Sequence, residues 1–207
     1  FGRYNSLSQT LLKIASPGVP DLYQGAELWD LNLVDPDNRR PVDYESRQKS
    51  LAELKSDFEA VADASGEFFN ALLREEKPGA MKLFLIWRAL HFRNTHRELF
   101  DSGEYVPLSA SGEQREHVCA FARMLKKQSI IAVVPRLVFG LTRGTEAPPI
   151  GGEIWKETVL LMPQARAGDL FRNVLTREMV PVIEKDGAAI ELRQALKSFP
   201  DALLEKI

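Results

Sequence analysis

Between Gly18 and Tyr44 the chain gathers six carboxylates, Asp21, Glu27, Asp30, Asp35, Asp37 and Asp43, around Arg39 and Arg40. Three aromatic rings, Tyr23, Trp29 and Tyr44, are interleaved with them. Planar rings stack on sugar faces, and charged groups hydrogen-bond paired hydroxyls, so the set suits a carbohydrate-binding cleft. The same residues also suit a solvated loop whose charges pair with one another and cap the neighbouring helices. Composition alone favours the loop, while the density of turn residues, rings and paired charges raises the odds for the cleft.

Other groupings that could do chemistry are weaker. His91 and His96 stand five apart on a predicted helix, so they point about 140° away from each other. A shared metal prefers a spacing of three or four, and His117 opens a strand elsewhere; all three read as surface or boundary histidines. Asp35-Pro36-Asp37 has the look of a calcium loop, but Arg39 stands where the third oxygen ligand belongs and no acid closes the loop at its twelfth position. Cys119 is the single cysteine, which excludes an intramolecular disulfide or a Cys-rich zinc site and reads as a small buried hydrophobe in a strand. No nucleophile elbow, P-loop or dinucleotide fingerprint occurs. No metal and no cofactor is expected.

The elements that must position these residues follow from periodicity. Ser6 and Gln9 form a capping box before Leu7, Leu11 and Ile14 at helical spacing, and Ser16-Pro17-Gly18 stops that helix. Residues 19–23 leave room for one short strand, and 30–43 form a polar loop. Asp43 is the expected N-cap of a helix carrying Tyr44, Leu51, Leu54, Phe58 and Val61 on one face, ended by Ser65-Gly66. Phe68, Phe69, Leu72 and Leu73 mark a shorter helix broken at Lys77-Pro78-Gly79. A longer one is predicted from Ala80 to Glu98, with Leu83, Trp87 and Leu90 on one side and Arg88, Arg93 and Arg97 opposite.

Beyond Asp101-Ser102-Gly103 the apolar segments shorten and β-branched residues rise. Strands are predicted at Tyr105–Leu108, Val118–Leu125, Ile130–Val134 and Val159–Met162, with weaker candidates at Leu170–Leu175, Val180–Ile183 and Ala189–Leu192. Residues 140–154, rich in glycine and proline, read as a long exposed loop. The expected fold class is α+β, with a mostly helical part over 1–100 and an antiparallel β-sandwich over 101–207.

The chain has 207 residues, with 27 basic against 29 acidic side chains and a formal net charge of −2. That balance supplies no bulk attraction to nucleic acid or to an anionic membrane surface, so neither is an expected partner. No apolar run approaches the roughly 20 residues of a membrane span. The lone cysteine fits a reduced, cytoplasmic compartment. The chain opens on Phe1, and its first third holds one strand without neighbours, although a parallel strand needs partners on both edges. It therefore reads as the last unit of a larger α/β structure.

Gly18-x-Pro20-x-x-Tyr23-x-Gly25-x-Glu27 resembles the eighth-strand signature of the α-amylase superfamily of glycoside hydrolases. The following LVDPDNRRPVDY, residues 33–44, is much more specific and resembles the maltooligosyl trehalose synthases within that superfamily. Residues 5–9 (NSLSQ), 87–90 (WRAL) and 104–108 (EYVPL) are similar to the same family, so the likeness is strong to residue 108 and diffuse after it.

The resemblance implies an intramolecular transglucosylation on a maltooligosaccharide substrate. The reducing-end α-1,4 link would become an α,α-1,1 link, with a carboxylate nucleophile and a carboxylic general acid. Those carboxylates would follow strands absent from this chain, because a whole barrel needs roughly 250 residues. The expectation is a catalytically inactive C-terminal fragment holding the end of a (β/α)8 barrel. The resemblance places Arg39 as a substrate contact, with Asp37, Arg40 and Asp35 building its loop and Tyr23, Gln24, Glu27 and Trp29 lining the cleft. Alternatives are another superfamily glucanotransferase, a trehalohydrolase, or a non-catalytic carbohydrate-binding module in the second half. The 33–44 stretch speaks against the first two. The scarcity of aromatics beyond Trp155 speaks against the third.

Overall fold

The computed structural model describes residues 1–31, 40–60 and 66–207. Its first half holds helices α1 (Gly2–Ala15), α2 (Tyr44–Ala60), α3 (Gly66–Leu73), α4 (Ala80–Thr95) and α5 (Arg97–Ser102). Strands β1 (Glu104–Leu108), β2 (Ala110–Ser111), β3 (Val118–Leu125) and β4 (Gln128–Pro135) follow, then short helices α6 (Val138–Leu141) and α7 (Gly151–Trp155). The chain ends with β5 (Val159–Leu161), β6 (Leu170–Asn173), β7 (Met179–Pro181), β8 (Ile183–Glu184), β9 (Ala188–Glu191), helix α8 (Leu192–Ala195) and β10 (Ala202–Lys206). The class is α+β.

The strands form a six-stranded sheet in the order β1-β3-β4-β10-β6-β7 and a four-stranded sheet in the order β2-β5-β9-β8. Every strand pair with a stated register is antiparallel. The central strands of the larger sheet are apolar on both faces, and strand periodicity sorts their side chains. Phe121, Ile130, Ala132, Val134 and Leu203 face the helices, whereas Ala120, Ala122, Ile131, Val133, Ala202 and Leu204 face the second sheet. The result is three layers: helices, six strands, four strands.

Aromatic contacts bind the helical layer together. Phe58 of α2 and Phe69 of α3 meet Phe84 of α4 edge-on at centroid distances of 5.2 and 5.8 Å, and Phe199, just before β10, meets Phe84 at 5.8 Å. Each such pair adds about 0.5–1.5 kcal/mol beyond its area. The buried Arg123 of β3 fastens the layers. It donates to the carbonyls of Phe100 and Gly103 at 2.7 and 2.8 Å, closing the end of α5 onto the sheet. Burial lowers the Arg123 pKa, and the neighbouring Arg93 adds to that shift.

Several expectations are corrected. Helix α1 begins at Gly2, upstream of the Ser6 box, because Tyr4 extends the buried face of Leu7, Leu11 and Ile14 by one turn. Residues 19–23 form no strand and join no sheet ladder among the described residues, since an edge exists only where a neighbour supplies the other half of the ladder. The expected 80–98 helix breaks at His96, whose ring stacks on Phe92 at 4.0 Å and whose backbone lies at φ −119°, ψ 38°. That break lets Leu99 and Phe100 of α5 reach the core.

Helix α4 packs against α1, α2 and α3, so its most buried residues are Met81, Phe84, Leu85 and Ala89, while Trp87 and Leu90 are half-buried. Residues 140–154 are not one exposed loop: α7 lies within the stretch and seats Trp155 fully buried, its Nε1 donating to Pro149 O at 2.8 Å. Trp155 is therefore a core residue. Cys119 lies in β3 and is only partly buried. The expected N-cap is present, with Ser46 N donating to Asp43 Oδ1 at 2.9 Å. Val61 and Ser65 lie outside the described residues.

Candidate functional site

The segment from Gly18 to Leu31 has no regular structure of its own, so side chains from the surrounding helices hold it. Lys13 of α1 donates to Asp21 O at 3.0 Å, and Arg93 of α4 donates to the carbonyls of Ile14, at 2.6 Å, and Gly18. Burial lowers the Arg93 pKa, as expected for a guanidinium spent on backbone carbonyls. Gly79 starts α4 at φ +78°, where a Cβ would come within 3.0 Å of Leu28 Cα and Trp29 N. Only glycine allows that approach without strain.

The root of the segment is fastened by Arg47 of α2. Its Nε lies 3.2 Å from Glu27 Oε2, its Nη2 donates to Gly25 O at 3.1 Å, and its Nη1 donates to Asp43 O at 3.0 Å. Beside it Tyr44 Oη donates to Gln24 Oε1 at 3.1 Å. Gln24 and Glu27 are thus brought together with the first turn of α2. Tyr23 and Tyr44 are 53% and 50% exposed. Arg40 is exposed where the chain re-enters α2.

Trp29 takes a different direction. Its ring is half-buried against the helical core and its Nε1 donates to Glu75 Oε1, while Arg3 Nη1 stands 3.8 Å from the other oxygen of Glu75. Lys82 lies over the Trp29 ring at 5.7 Å and donates to Leu28 O at 3.4 Å. Burial lowers the Lys82 pKa, and Asp30 and Glu27 oppose that shift. Arg39, Asp37 and Asp35 lie outside the described residues.

This arrangement offers binding chemistry: two exposed tyrosines and an amide beside a segment braced by Arg47. Among the described residues no group of three or more histidine, cysteine, aspartate or glutamate side chains could hold a metal ion. Arg47 was missed from the sequence, although Glu27, an acid in a turn-rich loop, called for a cationic partner. Glu75 and Lys82 were missed as well, since their contacts span 46 and 54 residues.

No protein-family model matches the chain. Two proteins from strains of Mycobacterium tuberculosis, both described as maltooligosyl trehalose synthase, are 33% identical over 180 residues, covering 87% of this chain and 19% of theirs. A mutant form of the maltooligosyltrehalose synthase from Arthrobacter ramosus superposes on 100% of the chain with a TM-score of 0.74 at 31% identity. The chain belongs to the maltooligosyl trehalose synthase family. It spans about a fifth of the length of these relatives, 22% of the Arthrobacter structure. A maltogenic α-amylase from Thermotoga neapolitana shares the fold, with a TM-score of 0.56 at 14% identity.

Proposed function

We propose that this chain is the C-terminal portion of a maltooligosyl trehalose synthase and that the whole protein isomerises the reducing end of a maltooligosaccharide. In that reaction a carboxylate attacks the anomeric carbon of the penultimate glucose while a carboxylic acid protonates the departing glycosidic oxygen. The released glucose stays in place, and its own anomeric hydroxyl then attacks the glycosyl-enzyme. The α-1,4 link becomes an α,α-1,1 link, and water is kept out. The observation that carries this reading is the family likeness over 87% of the chain at 33% identity.

In this reading the first hundred residues close a (β/α)8 barrel whose earlier strands hold the catalytic carboxylates, so the 207-residue chain alone is inactive. The segment 18–47 forms part of the cleft wall. Arg39 contacts the sugar beyond the cleaved bond, Asp37 and Arg40 shape its loop, and Tyr23, Gln24, Glu27 and Trp29 line or support the wall. The three-layer packing supports a bracing role for the β-part, with its large sheet serving as the floor beneath the helices.

The test is Arg39→Lys in the whole enzyme. Lysine keeps the charge but loses the planar, two-pronged donor. Expected is a loss of about tenfold or more in kcat/KM on maltopentaose. Unchanged turnover and binding would remove Arg39 from the site.

A further inference from the structure

Helix α3 ends in a left-handed turn closed by two backbone hydrogen bonds, Glu76 N to Ala71 O at 3.4 Å and Glu75 N to Leu72 O at 3.0 Å. The residue at the bend is Glu75, with φ +53°. Glycine is the usual occupant of that place, because a Cβ crowds the neighbouring carbonyl there. A glycine would relieve the strain, but it would also remove the side chain that leaves this turn.

That side chain reaches Trp29, 46 residues upstream, where Glu75 Oε1 accepts the indole Nε1–H. Arg3 Nη1 stands 3.8 Å from the other oxygen, and the carboxylate is only 18% exposed. The rest of the α3–α4 connection is fitted to the same residue. Gly79, also left-handed, leaves no room for a Cβ against Leu28 Cα and Trp29 N. Lys82 Nζ stands over the indole at 5.7 Å from its centroid. Two left-handed residues and one lysine thus close on Trp29, and all three lie outside the segment 18–47. A half-buried indole N–H given to a charged acceptor is held in one orientation.

We infer that Glu75 is a positioning residue for the isomerisation: it fixes the Trp29 indole and so holds the cleft wall that keeps the released glucose in place. This rests on the reading of segment 18–47 as cleft wall. The glucose has to attack the glycosyl-enzyme before it departs or water replaces it. A loosened wall therefore shows in the products, as free glucose gained at the expense of the α,α-1,1 link.

The test follows the products of maltopentaose with the whole synthase carrying this chain, as wild type, Glu75→Gly, Glu75→Gln, Trp29→Phe and the double variant E75G/W29F. Glycine suits the turn and removes the acceptor, glutamine keeps an acceptor, and Trp29→Phe removes the same hydrogen bond from the other side. Circular dichroism confirms that each variant folds. Expected in E75G is a loss of about fivefold or more in kcat/KM, with the share of free glucose rising about twofold or more. E75Q should stay within about twofold of wild type, and E75G should add nothing to W29F, since both remove one bond. Should E75G fail to fold, W29F carries the comparison, and an unchanged glucose share in it overturns the link. Wild-type products and kcat/KM in E75G, or losses that multiply in the double variant, would overturn the positioning role and leave the isomerase reading standing. E75Q as impaired as E75G would overturn Glu75 as the acceptor. A wild-type synthase that forms no α,α-1,1 link would overturn both readings.

Discussion

Arg47 and Glu27 stand 3.2 Å apart across 20 residues of chain, and the same guanidinium reaches Gly25 O at 3.1 Å. One side chain on the first turns of α2 thereby holds the carboxylate and the backbone of the segment 18–31. Residues 18–31 are gripped as well by Lys13, Arg93 and Lys82 on backbone carbonyls, by Tyr44 on Gln24 and by Glu75 on Trp29.

Arg47→Ala removes three donated hydrogen bonds at once. An ion pair near the surface is worth little alone, but the bond from a charged donor to the half-buried Gly25 carbonyl contributes about 1.5–3 kcal/mol. Hydrogen exchange should quicken in residues 18–31 by about tenfold or more, while β3 and β4 keep their protection. Uniform exchange in both regions would show that the segment is held by other contacts.

Arg123→Met leaves the carbonyls of Phe100 and Gly103 buried without their donor. The expected loss of stability is about 2–5 kcal/mol, read from the urea midpoint. Gly103→Ala attacks the same junction sterically, because its Cβ would sit 2.3 Å from Leu99 O. It should cost about 1–3 kcal/mol. A wild-type midpoint in both variants would show that the junction does not hold the layers together.

Asp201 is fully buried, with Oδ1 3.2 Å from Ser8 Oγ and Oδ2 without a hydrogen-bond partner. Ser8 Oγ also donates to Pro135 O at 3.0 Å, and one hydroxyl proton cannot serve two acceptors. A protonated Asp201 resolves the conflict by donating to Ser8. Burial accordingly pushes its carboxyl well above the usual 3.8.

The folded chain thus keeps a proton that the unfolded chain has released. The contribution to stability is fully present below about pH 3.8 and is lost as pH rises toward the folded value, at about 1.4 kcal/mol per unit. Asp201→Asn cannot ionise. Relative to wild type it should grow more stable in urea titrations as pH rises above about 4, until the folded carboxyl itself ionises. A difference independent of pH would contradict a protonated Asp201.

Much of the architecture was legible in the sequence because it obeys one period at a time. The β3–β4 hairpin announced itself through Val118–Leu125 and Ile130–Val134, and α2 through Asp43 and the spacing of Leu54 and Phe58. The strand β10 did not. Its residues, ALLEK, are helix formers, and only its place between β4 and β6 makes them a strand. Residues 19–23 failed the opposite way: their composition allows a strand, but no edge among the described residues pairs with it. Trp155 looked like a loop aromatic because α7 is only five residues long.

The candidate site was legible as a place and not as a set of contacts. Residue types marked 18–44, whereas the partners of Gln24, Glu27 and Trp29 lie 20 to 46 residues away. Distances of that kind are set by how α2, α3 and α4 pack, and no local pattern encodes them.

The most direct test of the account follows the reducing ends of maltopentaose with two samples, the whole synthase carrying this chain and the 207-residue chain alone. An α,α-1,1 link has no reducing end, so the account predicts loss of reducing ends with the whole synthase and no change with the chain alone. Loss of reducing ends with the purified chain alone, or release of only reducing sugars by the whole protein, would contradict it.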